Sequence, residues 1–455
     1  MRNLRLKTVA LTATAALVLI AGCSSSSTAA GSSSSAAAGP SSGASAGAAT
    51  SGSSMATGSS SSSGTTADAP PVSLTYGVWD KNQVPAMQKI IDAYHALHPN
   101  VTVTVQLTPY TDYFTKLQAA ATGGQAPDVF WMNGPNFQLY ASNGVLQPLT
   151  DVKVDTSAYP ASLVKLYSYK NQQFGLPKDF DTIGLWYNKK LFDAAKVKYP
   201  DSTWTWSTFQ QAAQKLTVPA KGQFGAVSLL EGQEGYYNTI FQAGGYVVSP
   251  DGKSSGYGTA PTINGLKFWT DLISTKLSPT QQQMTDTAPY QMFEAGKVAM
   301  FWGGSWDAVE FGGNAGTKNT VDVAVLPMGV KRATVIHGLA NVVFSRTAHK
   351  QAAEDFAAFL GSQQAAKIEG STGTVIPAYN GTQAAWAAAF PQFHLQNFLA
   401  ELPYAVPLPV SGNTAAWNTL ETDNLTKAWA GSTPVDTAAK DLGTSMDAAL
   451  AKEGN

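Results

Sequence analysis

From Val72 to Gly144 the sequence keeps changing period. VSLTYGVW (72–79) is rich in residues that suit a strand. Val84, Met87, Ile90, Ile91, Tyr94 and Leu97 then recur at helical spacing, with Pro85 near the helix start. VTVTVQL (101–107) alternates valine and threonine as a strand does, and TDYFTKLQAAATGG reads as a helix stopped by glycines. PDVFWM (127–132) is a short apolar strand, and NFQLYASNG after it is helix-like. This alternation predicts an α/β layered fold with mostly parallel strands. TIGLWYN (182–188), FGAVSLL (224–230), KVAMFW (297–302) and VDVAVLP (321–327) continue the pattern. From about Thr382 the chain is helix-rich and carries aromatics, and there is no internal repeat.

The 455 residues suggest two or three domains, and 44% apolar residues suffice for sizeable cores. Only 13% are charged, so the surface relies on Ser, Thr, Asn, Gln and Gly for its polarity. A net charge of -1 with no long basic run argues against a nucleic-acid surface. The single cysteine, Cys23, excludes an intramolecular disulfide. Arg2, Arg5 and Lys7 precede the apolar run VALTATAALVLIAG, the charge and length of a secretory signal rather than a membrane span. Ile20-Ala21-Gly22-Cys23 is similar to a bacterial lipobox, which implies cleavage before Cys23 and lipid on it. From Ser24 to Pro70 the chain is almost all Ser, Ala, Gly and Thr. Such a segment cannot offset its ordering entropy and is expected to be a flexible tether reaching roughly 35–40 Å. The GASAG of Gly43–Gly47 matches a hydrolase nucleophile pattern but lacks the flanking strand and helix that motif needs.

Metal and phosphate motifs are scarce, and no metal or cofactor is expected. None of the five histidines opens an HExxH helix. His95 and His98 share a helix face but sit at a solvated end just before Pro99. Gly252-Lys253-Ser254 lacks the earlier glycine of a phosphate loop, a position taken by Val247.

Two constellations carry chemistry. In LPKDFDTIGLWYN (176–188), Asp179 and Asp181 fall on one side of an extended chain. The pair admits three roles: acceptors for ligand hydroxyls, structural capping, or the acid and base of a glycosidase. Because both sit on one short segment they would meet a ligand from one side, whereas glycosidase carboxylates flank the bond. The second constellation is aromatic. Trp79 and Asp80 close the first strand, Trp131 to Asn133 close the third, Tyr236 and Tyr237 follow a glycine, and Trp302 and Trp306 bracket Gly303-Gly304-Ser305. Ligands of open α/β sheets bind beyond the carboxyl ends of strands. Rings beside carboxylates and amides suit a sugar, whose C–H faces match an aromatic ring and whose hydroxyls match polar groups. Ser305 is placed to cap a helix beginning at Trp306, with the glycines turning the backbone before it. Trp302 reads as a wall or core residue.

The lipobox, the Ser-rich tether, PDVFWMNGPNFQLYASNGVLQPL, GLPKDFDTIGLWYNKKLF and AGKVAMFWGGSW, in this order, resemble extracellular solute-binding proteins of family 1. TWTWSTFQQAAQKLT and HGLANVVFSRTAHKQAAEDFAAFL fit the same pattern, so the resemblance covers most of residues 72–455. It implies a lipid-anchored protein on the extracellular face of the cell membrane, serving an ATP-binding-cassette importer. The implied fold is two α/β lobes joined by hinge strands, with the ligand in the cleft between them. After a signal peptide (1–22) and a lipidated tether (23–71), lobe one would comprise 72–180 plus 335–377. Lobe two would comprise 181–334 plus 378–455, with crossings near 178–182, 334–338 and Pro377. Matching segments imply ligand contacts from Asp80 with Trp79, Asn133, Asp179, Asp181, Tyr236, Trp306 as a stacking platform, the backbone of Gly338 and the side chain of Asn341. Tyr110 is a looser match. A sugar or oligosaccharide ligand, membrane permease subunits as partners and a monomeric state are expected, and no catalysis. A surface glycoside hydrolase using Asp179 and Asp181, or a binder of another polar solute, is the alternative.

Overall fold

The computed structural model describes residues 70–153 and 155–453, so the signal segment, Cys23 and all but the last residues of the tether lie outside the described residues. The strands in chain order are β1 (Val72–Val78), β2 (Val101–Leu107), β3 (Val129–Met132), β4 (Leu146–Gln147), β5 (Ser168–Tyr169), β6 (Gln172–Gln173), β7 (Gly175–Pro177) and β8 (Asp179–Phe180). There follow β9 (Ile183–Asn188), β10 (Met300–Gly304), β11 (Val321–Ala324), β12 (Thr334–Ile336), β13 (Ala340–Phe344), β14 (Ile376–Pro377) and β15 (Ala405–Pro407). Two sheets organise the chain. One runs β2-β1-β3-β13-β4 with β7 also on β13, and the other runs β10-β9-β11.

The first sheet follows its sequence pattern. On β1, Leu74, Tyr76 and Val78 are buried while Ser73 faces out. The strand pairs in parallel with β2 from Val72 opposite Val101 to Val78 opposite Leu107. The helix Val84–Leu97 buries Ala86, Met87, Ile90, Ile91 and Tyr94, the stripe expected of its spacing, and carries Pro85 in its first turn. Strand β3 is buried at all four positions, because layers cover both of its faces.

Three expectations are corrected. Among the described residues, parallel pairing between strands is confined to β1–β2, β1–β3 and β12–β15, beside two isolated parallel bridges. Strand β13 runs antiparallel to β3, β4 and β7, and the second sheet is antiparallel throughout. A strand buried on both faces reads as a continuous apolar run whichever way its neighbours point, so periodicity carries no direction. The apolar run 224–230 is not a strand. It is tied by a single bridge from Phe224 to Val298 and by the Ser228 N–H donating to Ser278 Oγ at 2.9 Å. The strand sought at 297–302 begins at Met300 and continues through Gly303 and Gly304, which pair with Gly184 and Ile183.

Three segments that connect the sheets lie side by side. Asp181 and His337 exchange backbone hydrogen bonds, with Asp181 N to His337 O at 2.8 Å and the reverse at 3.3 Å. Strand β14 pairs antiparallel with β8, and Ala378 N donates to Lys178 O at 3.1 Å. The residues around 178–182, 337–339 and 376–378 therefore form one short hydrogen-bonded ribbon at the base of the space between the sheets.

Candidate functional site

Above that ribbon opens a cleft of about 820 Å³, lined by residues from both sheets and both sides of the crossings. Its volume falls in the range of small-molecule sites. Another hollow, of about 620 Å³, lies away from the crossings among the helices Ala260–Ser274, Gln281–Asp286 and Thr414–Trp429. It is lined mostly by small neutral side chains, and its one carboxylate, Asp271, already faces Lys267. The cleft is the better candidate because aromatic rings and polar groups converge there from separate elements.

The wall built on the first sheet is aromatic and internally satisfied. Trp79, at the end of β1, packs against Tyr113 (ring centroids 4.9 Å apart), Trp131 (5.1 Å) and Tyr110 (5.5 Å). Asn133 accepts from the N–H of Asn136 at 3.2 Å, capping the helix Gly134–Ser142, and its Nδ2 donates to the Tyr110 hydroxyl at 3.3 Å. Asp80 accepts from the Asn82 N–H (2.9 Å) and from Gln83 Nε2 (3.0 Å). Lys178 sits buried over the Trp131 ring, 4.8 Å from its centroid, with Asp179 at 2.7 Å and Glu369 at 2.5 Å. Burial alone would push the Lys178 ammonium down, but Asp179 and Glu369 hold it above its ordinary value. Asp179 also accepts from the Leu339 N–H at 2.8 Å. Of the adjacent aspartates, Asp179 is thus spent on a buried ion pair and on the ribbon.

The wall built on the second sheet is different. The ring of Trp306, half-buried, lies so close over Gly304 that a Cβ there would meet it at 2.2 Å. A Cβ on Gly303 would meet the Asp307 carboxylate at the same distance. The two glycines are therefore not a turn: they are strand residues without side chains, which lets Trp306 and Asp307 fold back onto the strand. Ser305 does not cap the next helix, which runs Asp307–Gly313 with Trp306 at its N-cap. The backbone N–H of Ser305 instead donates to Thr182 O, and its hydroxyl, 1% exposed on the cleft wall, has no partner. Trp302 is core, stacked among Trp269, Phe268 and Phe209.

Carboxylates dominate this second wall. Asp181 accepts from Gln233 Nε2 at 2.8 Å, and burial, then the charge of Asp179, raises its carboxyl well above the usual range. Burial, then the charges of Asp307, Glu231 and Asp181, does the same to Glu234. Burial, then Glu310 and Glu294, with a smaller push from Asp80, raises Asp307. At the floor, His337 is buried, and its Nε2 accepts from the Gly134 N–H at 3.1 Å. Burial lowers the His337 pKa to about 4, so the ring is neutral at physiological pH.

The cleft therefore gathers Trp79, Asp80, Tyr110, Asn133, Asp179, Asp181 and Trp306. It does not bring Tyr236, Gly338 or Asn341 to its wall. Tyr236 is buried beneath, its hydroxyl toward Glu421 at 3.3 Å, just after Gly235, where the backbone leaves helical geometry. Gly338 is packed so tightly against the Asp179 carbonyl that a Cβ would meet it at 2.1 Å, and its own carbonyl accepts the Tyr167 hydroxyl. Asn341 lies inside the first sheet and accepts from the Tyr76 hydroxyl at 2.6 Å. Sequence reasoning missed Gln83, Gln233, Glu234, Asp307 and His337. Some signal was present: Gln233 and Glu234 share the EGQEGYY segment with Tyr236, and Asp307 follows Trp306 directly.

The model for "Bacterial extracellular solute-binding protein" matches residues 80–367. The maltotriose-binding protein of Pyrococcus abyssi is 24% identical over 228 residues, 50% of this chain and 47% of that protein. The galactooligosaccharide-binding protein of Bacillus subtilis is 24% identical over 314 residues, 66% of this chain and 72% of that protein. The chain spans about half the length of the first curated relatives it matches. Among solved structures, an ABC substrate-binding protein of Listeria monocytogenes in complex with cycloalternan superposes with a TM-score of 0.79 at 26% identity, covering 84% of this chain and 99% of that one. The GacH receptor of Streptomyces glaucescens, solved unliganded and with acarbose, gives a TM-score of 0.76 at 21% identity, over 84% and 98% of the two chains.

Proposed function

Since this chain belongs to the bacterial extracellular solute-binding protein family and has the two-lobed fold of sugar-binding proteins, we propose that it captures a sugar or oligosaccharide in the cleft for an ATP-binding-cassette importer. One observation carries the proposal: an aromatic platform and unpaired polar groups on one wall face a satisfied aromatic wall across a cleft with a hydrogen-bonded ribbon at its base. Trp306 stacks on a sugar face, Trp79 and Tyr110 close the opposite side, and Asp181 with Ser305 receives hydroxyls. Asp80 and Asn133 contribute at the rim, while Asp179 orients the ribbon. The lobes comprise 72–180 plus 335–377 and 181–334 plus 378–455, and the ribbon is the hinge. A ligand that bridges both walls shifts an open population toward a closed one. The closed protein is then read by permease subunits, acting as a monomer. Cys23 anchors it through lipid at the extracellular face of the membrane. No helix among the described residues is long and apolar enough to cross a membrane.

The protein performs no chemistry on its ligand in this reading. Asp179 is held by Lys178, and Asp181 accepts from Gln233 Nε2. A thermal-unfolding screen of mono- and oligosaccharides tests the proposal. At least one is expected to raise the melting temperature in proportion to the logarithm of its concentration. Trp306→Ala is expected to weaken that ligand roughly 30-fold or more while leaving the fold intact. No shift with any saccharide sinks the proposal, and turnover of the ligand on long incubation would install the hydrolase in its place.

A further inference from the structure

The chain as a whole is nearly balanced, with 29 Lys and Arg against 30 Asp and Glu. The cleft is not. Setting aside Asp179, which Lys178 neutralises, its lining carries Asp80, Asp181, Glu231, Glu234, Asp307 and Glu310 against a single ammonium, Lys81. These acids belong to different elements on both walls. Glu234 feels the charges of Asp307, Glu231 and Asp181, and Asp307 feels those of Glu310 and Asp80. Burial and the neighbouring carboxylates favour the protonated form of Asp181, Glu234 and Asp307, and a cation set among them favours the charged form. Hydroxyls can donate hydrogen bonds to these oxygens but bring no charge to balance them.

A metal ion is not what the wall is shaped for. Among the described residues no group of three or more His, Cys, Asp or Glu converges to hold one. The carboxyl groups are spread along the wall beside the Trp306 ring, and the buried Ser305 hydroxyl on the same wall has no partner. An extended organic cation meets all three conditions.

Building on the saccharide reading above, we propose that the ligand is a saccharide carrying a basic nitrogen, its ammonium set against Asp181, Glu234 and Asp307 while its ring stacks on Trp306. The ammonium supplies the counter-charge that these buried carboxylates lack, so binding is coupled to that nitrogen and an uncharged isostere binds less well.

Matched pairs test this by titration calorimetry on the full chain. Glucosamine, galactosamine and chitosan oligomers are each compared with the N-acetylated counterpart, at a pH where the amines are protonated and at low and high salt, alongside maltotriose and spermidine. At least one amine is expected to bind about tenfold or more tightly than its acetylated twin, with a preference that shrinks in salt. Glu234→Gln and Asp307→Asn should each reduce that preference, and the comparison within wild type needs neither variant to fold. Equal affinities within every pair, or binding of acetylated and neutral sugars alone, overturns the cation and leaves saccharide capture standing. Tighter binding of spermidine than of any amino sugar assigns the wall to a polyamine and overturns the proposal. Binding of no saccharide at all removes both readings.

Discussion

The two walls of the cleft are built from similar residues and finished differently. On the first, every acid is answered: Asp80 by the amide groups of Asn82 and Gln83, Asp179 by Lys178 and the Leu339 N–H. On the second, burial first and neighbouring carboxylates second hold Asp181, Glu234 and Asp307 well above the usual carboxylate range, and the Ser305 hydroxyl is buried without a partner. A buried polar group left unmade costs about 1–3 kcal/mol, which a partner reaching Ser305 from the cleft would recover. The first wall is thus a finished surface, and the second carries the groups that the proposed ligand would complete.

The sharpest way to break this contrast is to unsettle the first wall. Lys178→Met removes the one ammonium held between Asp179 and Glu369 and leaves two buried carboxylates facing each other. A loss of about 3–5 kcal/mol in urea unfolding is expected. Near-unchanged stability would mean that the network is dispensable and the first wall no more settled than the second.

A smaller effect sharpens what lies behind the walls. Burial, opposed by Lys178, raises Glu369 to about 7. Burial raises Glu401 and Glu421 to about 8, although three tyrosine hydroxyls donate to Glu421. Each of these folded-state values exceeds the ordinary 4.5, so the folded chain holds more protons than the unfolded one between the two values. Their contribution to stability is complete below about pH 4.5 and is lost as pH rises through 7 to 8. Melting temperatures measured across that window should fall with rising pH, and Glu421→Gln should flatten the slope. A slope identical in the variant would detach it from Glu421.

The smallest effect separates lining from support. Tyr236→Phe removes a hydroxyl that points at Glu421 and away from the cleft, so ligand affinity should stay unchanged while stability drops by about 1 kcal/mol. A large loss of affinity would return Tyr236 to the wall.

These residues also mark how far the sequence could be read. Strand and helix positions from Val72 to Ser142 followed from period alone, because each element buries one face or lies wholly inside. Strand direction did not follow, since burial on both faces erases it. Trp306 was legible from Gly303-Gly304 beside it, although the glycines proved to make room for side chains and not to turn the chain. Asp179 and Asp181 read as a pair on one side of an extended chain, and only the fold, by bringing Glu369 to Lys178, ties Asp179 into a buried ion-pair network while Asp181 meets Gln233 on the cleft wall. Tyr236 and Asn341 lie off the cleft wall in this structure, Tyr236 with its hydroxyl toward Glu421 and Asn341 accepting from Tyr76, partnerships between distant segments that no residue pattern states.

A crystal structure grown with whichever saccharide raises the melting temperature tests the central claim most directly. The account predicts that sugar in the cleft, its ring flat on Trp306 and its polar atoms on Asp181 and Ser305, with the ribbon at 178–182 bent toward closure. Sugar seated instead in the hollow beside Trp429, with Ser305 still unpartnered and the walls unmoved, would contradict it.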